Sequence, residues 1–130
     1  MNNKNWLVAA TLLAGLAVIL GAFGAHGLKS LVSPQQIETF KTGVQYHFYH
    51  ALALAVAVLI SQFVDNLPIR RSFLMFTFGI LCFSGSLYGF TLAEILGTEA
   101  RWMGIITPLG GVFFILGWLN LTLGISKSKE

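Results

Sequence analysis

Four uncharged stretches, Trp6 to Ala25, Thr42 to Val64, Ser72 to Ala93 and Trp102 to Ser126, run 20, 23, 22 and 25 residues. At about 1.5 Å of helical rise per residue, each matches or exceeds a hydrocarbon core roughly 30 Å thick. A spanning strand would need only about 9–11 residues in strict alternation, and a backbone left unpaired in lipid is costly, so the form has to be helical. The expected fold is therefore all-α: an integral membrane four-helix bundle with up-down-up-down topology, forming a single transmembrane domain over residues 1–130.

Composition supports this. Hydrophobic residues make up 55% of the chain and charged residues 10%, against about 25% charged in soluble domains. The charges fall in five clusters between the stretches, and the 40 residues outside them leave no room for a soluble domain of ordinary size. A net charge of +3 spread over loops and tails forms no basic stripe, so nucleic acid is not an expected partner. Lys4, Arg70, Arg71, Lys127 and Lys129 lie on one side, against Lys29, Lys41 and Arg101 on the other. The excess of basic residues places both termini in the cytoplasm. The first apolar run, at 20 residues, exceeds the roughly 7–15 of a secretory signal, so it is expected to persist as a helix.

The first connection carries a helix start. Ser33 reads as the N-cap, Pro34 as the first helical residue and Gln36 as the return partner of a capping box. Ile37, Phe40 and Val44 then recur at helical spacing. A short amphipathic helix in the first loop is expected, running into the second span directly or after a bend at Gly43. Asn66, Leu67 and Pro68 stop the second span, and Gly97 marks the third turn.

Between helices in lipid the hydrophobic drive is weak, and association depends on close backbone approach at small residues. Gly21 with Ala25, Gly85 with Gly89, and Gly110 with Gly117 are the expected packing positions. Some of these faces suit a second subunit as well as a neighbouring helix, so a homo-oligomer is compatible with the pattern. A faint repeat at an offset of 64 to 65 residues pairs Gly15 with Gly79 and Phe48 with Phe113.

The polar residues that could carry chemistry are few. His26 ends the first span, Tyr46, His47 and His50 lie early in the second, and Thr107 with Pro108 opens the fourth. His26, Tyr46, His50 and Thr107 form the candidate polar site. It reads either as hydrogen-bonding glue between helices or as a ligand, proton or haem site built on imidazoles. No carboxylate or cysteine accompanies the histidines at ligand spacing, so no metal and no cofactor are expected. Cys82, the one cysteine, reads as a packing residue. No general base stands by Ser84 or Ser86, and no catalytic residues are expected. Trp6, Trp102 and Trp118 read as interface anchors.

The segments Gly21-Ala-Phe-Gly-Ala-His26, Thr42-Gly-Val-Gln-Tyr-His-Phe-Tyr-His50, Phe83-Ser-Gly-Ser-Leu-Tyr88 and Thr107-Pro-Leu-Gly-Gly111 with Gly117-Trp118 resemble one family over nearly the whole chain. It is domain-of-unknown-function family 423, also called uncharacterised protein family 0382, to which animal transmembrane protein 256 is similar. The resemblance implies a four-helix protein of bacterial inner-membrane type with no settled activity. The family pattern carries His26, Thr42, Gly43, Tyr46, His50, Gly85 and Thr107-Pro108, whereas His47 varies. The expected function is non-enzymatic association with lipid, itself or another membrane protein. The alternatives are a small-solute transporter or channel with its cavity at His26, Tyr46 and His50, and haem or metal binding at the histidines.

Overall fold

The computed structural model describes residues 2–128; Lys129, counted above among the basic residues of one side, lies outside the described residues. Five α-helices follow in order: α1 (Asn3–His26), α2 (Pro34–Ile60), α3 (Ile69–Gly79), α4 (Gly85–Leu96) and α5 (Met103–Ser126). A π-helical turn over Ile80–Ser84 joins α3 to α4, so Ile69–Leu96 acts as one third span. Among the described residues, four helices of 24, 27, 28 and 24 residues are long and apolar enough to cross a membrane.

The first loop holds no separate amphipathic helix. Pro34 begins α2, which continues unbroken to Ile60. Gly43 does not bend it, because there α2 packs tightly on α4: a Cβ on Gly43 would stand 3.0 Å from the Tyr88 ring and 3.2 Å from Leu87 Cβ. Ser33 caps the helix as expected, its hydroxyl accepting from the Gln36 amide at 3.3 Å. The return half of the capping box is made differently. The Gln36 side chain donates to Thr91 Oγ1 at 2.8 Å, and Glu94 at the end of α4 accepts from the Ser33 amide at 2.6 Å.

Consecutive spans run antiparallel. On α1, Ala10, Ala17 and Gly24 are buried at seven-residue intervals, a line facing α2, where Phe40 occupies the notch at Gly24. Trp6 also reaches α3, its ring packing against Phe73 at a tilt of 50° with centroids 4.4 Å apart. The third span and α5 interlock through aromatic rings set into glycine notches. Phe76 fills the notch at Gly117, Phe114 the one at Gly79, and the Phe83 backbone lies against Gly110. Ser86 continues the same register with a hydroxyl contact to Thr107 at 2.6 Å. The core gathers Ala53, Leu54, Ala57, Phe76, Ile80, Phe114 and Leu121 between α2, the third span and α5.

Of the expected packing positions, Gly110, Gly117 and Gly89 meet neighbours closely, Gly89 against Met103, and Gly21 meets Val44. Gly85 has no neighbouring side chain where a Cβ would stand, because it follows the π turn and its amide returns to Ile80. Ala25 is exposed; one residue earlier, Gly24 is the position that faces α2. Pro108 sits inside α5 and does not start it.

Candidate functional site

His50 is the most elaborately held polar side chain of the molecule. His50 lies in the middle of α2, sixteen residues from its start at Pro34. It is 5% exposed. Its ring stacks on Phe114 with centroids 3.5 Å apart and planes 7° from parallel, and Phe76 closes a further side at 5.4 Å. Nδ1 lies 2.7 Å from the Tyr46 carbonyl one turn back. Nε2 accepts from the Trp118 indole N–H at 3.2 Å. These two bonds define one tautomer: Nδ1 carries the proton and donates, and Nε2 is the acceptor. Both nitrogens of a neutral imidazole are thus used inside the protein, with no lone pair directed at a guest.

The other candidates are distributed around this centre. Tyr46 is 39% exposed and packs on Phe83 at 4.7 Å and beside the His50 ring at 6.1 Å. Thr107 binds Ser86 and its own helix at the Met103 carbonyl, which joins α4 to α5. His26 stands exposed in the last turn of α1. The structure therefore unites Tyr46 and His50 and sets His26 and Thr107 in separate surroundings.

Sequence reasoning missed Trp118 as a partner. It lies eight residues before the end of α5, half-exposed, and its indole N–H donates to His50. The Tyr88 hydroxyl reaches across to α2, meeting His47 Nδ1 at 3.1 Å. His47 Nε2 is buried without a hydrogen-bond partner, with the Leu13 main chain of α1 near it. His47 thus stands where α1, α2 and α4 meet. The signal for Trp118 was available, since Phe114 and Trp118 share a helix face one turn apart.

Among the described residues no group of three His, Cys, Asp or Glu side chains could hold a metal ion. What the arrangement does chemically is fasten α2 to α5. His50→Phe keeps a ring of similar shape but strands the Trp118 N–H. It is expected to lower stability by about 0.6–1.7 kcal/mol, the span found for interhelical hydrogen bonds in lipid. Equilibrium unfolding in mixed micelles, followed by Trp118 fluorescence after Trp6 and Trp102 are replaced, measures it.

Comparison with known proteins gives a consistent result. The family described as "Protein of unknown function (DUF423)" matches residues 20–111, a range that holds all four candidate polar residues. The UPF0382 membrane protein YwdK of Bacillus subtilis is 40% identical over 126 residues, covering 95% of this chain and 98% of that protein. A UPF0382 membrane protein of Haemophilus influenzae is 40% identical over 130 residues, covering 100% of this chain and 99% of its own length. The UPF0382 inner membrane protein YgdD of Escherichia coli is 30% identical over 130 residues, again spanning 100% of this chain. No solved structure matches. Four membrane-length helices, the motifs from Gly21 to Gly111 and full-length relatives agree that this chain belongs to the DUF423 (UPF0382) family of bacterial membrane proteins.

Proposed function

We propose that this protein acts without catalysis, by association within the bilayer with lipid, with a second copy of itself or with another membrane protein. The observation that carries this reading is the outer side of α1. Gly15 is exposed, and a Cβ placed on it would meet nothing within 4 Å. Thr11, Ala22 and Ala25 are exposed too, and at 100° per residue they fall on the same side of the helix as Gly15. Small residues so arranged allow a second helix to approach closely. The polar side chains support the reading from within, since His50, Thr107, Gln36 and Asn120 are all committed to internal hydrogen bonds.

A transport path through His26, Tyr46, His50 and Thr107 gains no support, because the four do not share one space. The printed name of the Escherichia coli relative supports an inner-membrane location. The excess of Lys and Arg at the Asn3 and Ser126 ends supports cytoplasmic termini.

Gly15→Leu tests the surface. Energy transfer between labelled copies in lipid vesicles is expected to exceed random collision for the wild type. It should fall with the variant to an association about tenfold weaker, roughly the 1.4 kcal/mol of one decade, while the unfolding midpoint holds. Wild-type transfer at the random level over all protein-to-lipid ratios would overturn self-association. Turnover of a defined substrate by pure protein would end the non-catalytic reading.

A further inference from the structure

At the end of the molecule that carries both termini, a cavity of about 580 Å³ opens between the α2–α3 turn and the last turns of α5. We propose that it binds the phosphate group of an anionic phospholipid, with the acyl chains running down α5. This inference stands apart from the association surface on α1 and does not depend on it.

Arg71 and Lys127 line the cavity from opposite elements, together with Asp65. Among the described residues neither cation is paired with a carboxylate, because the ion pairs found there are Glu38 with Lys41 and Glu99 with Arg101. The wall is fixed. Asn120 of α5 donates to Ser72 Oγ at 2.8 Å and to the Pro68 carbonyl at 3.3 Å, holding α3, which carries Arg71, and α5, which Lys127 follows as C-cap, at a set separation. The first turn of α3, which carries Arg71, contains no acidic residue and no side-chain cap, so its amide end adds to the positive potential.

The surroundings favour a lipid over a soluble phosphate. Leu123 lines the cavity and is exposed, and Leu119, Leu116 and Val112 continue from it along α5, all exposed. The polar cavity therefore opens onto an apolar track, the shape of an amphiphile with its headgroup at the membrane surface. Cations in this position attract anionic lipids. Asp65 works against the anion.

The test is native mass spectrometry of the full chain in neutral detergent, titrated with phosphatidylglycerol, phosphatidylethanolamine or inorganic phosphate. Phosphatidylglycerol is expected to be retained in preference to phosphatidylethanolamine. The double variant R71Q/K127Q should weaken that retention about thirtyfold. Lys4→Gln, which removes a cation at the same end but outside the cavity, should leave it unchanged. Asp65→Asn should tighten it roughly threefold to fivefold, a gain that misfolding cannot imitate. Equal retention of the two lipids, or equal loss with Lys4→Gln and with the double variant, overturns the site. If inorganic phosphate binds alone and displaces the lipid, the lipid assignment is overturned and a phosphate site remains.

Discussion

Gly110→Ala is expected to destabilise the protein by about 3 kcal/mol, the upper part of the usual range for overpacking. The new methyl would collide with the backbone nitrogen and Cα of Phe83, and a helix backbone cannot swing aside as a flexible side chain can. Relief requires separating α5 from the third span, and that disturbs the neighbouring notches as well. Phe76 at Gly117 and Phe114 at Gly79 share the same antiparallel register, so sliding α5 away from one ring displaces the others. Gly111→Ala is the control: one position on, a methyl meets nothing within 4 Å, and stability should hold or rise slightly. Unfolding of both variants in mixed micelles decides it. Equal midpoints would show that the α5 interface is looser than described.

Phe114→Ala is expected to cost about 2–3 kcal/mol. In a water-soluble core, Phe→Ala typically costs about 3–5 kcal/mol, part of which is transfer of the ring from water. In a bilayer that transfer contribution is largely absent, because lipid is as apolar as the core, and packing dominates what is lost. Phe114 is 4% exposed, fills the notch at Gly79 and stacks on His50. Its removal empties space on both sides. The same micelle unfolding measures the change, and the Trp118 emission should shift as the His50 ring loses its support. A midpoint within error of wild type would mean that lipid or rearranged side chains fill the gap at no cost.

The spans were legible because a solvent argument needs only length and polarity, and both lie within a single segment. Ser33 and Pro34 were legible as a helix start for the same local reason. The completion of that cap was not, since Glu94 comes from 61 residues away and Gln36 turns to Thr91 instead. The π turn left no trace, because Ile80-Leu-Cys-Phe-Ser84 contains no residue that favours a wider turn over a regular one. Small residues announced close packing at Gly110 and Gly117 but not which stripe faces inward, so Ala25 was assigned to an interface that Gly24 makes. For the candidate site, helical spacing sets the Tyr46 and His50 rings side by side, 6.1 Å apart. The rings that enclose His50 come from α3 and α5, and only the tertiary register places them there.

The Glu94 carboxylate that accepts from the Ser33 amide bears on biogenesis. Glu94 is synthesised 61 residues after Ser33. Until the third span packs beside α2, the turn before α2 holds only its own Ser33–Gln36 cap. That turn is completed when the third span has crossed and delivered Glu94 to the same surface, so the late-made segment completes the early one.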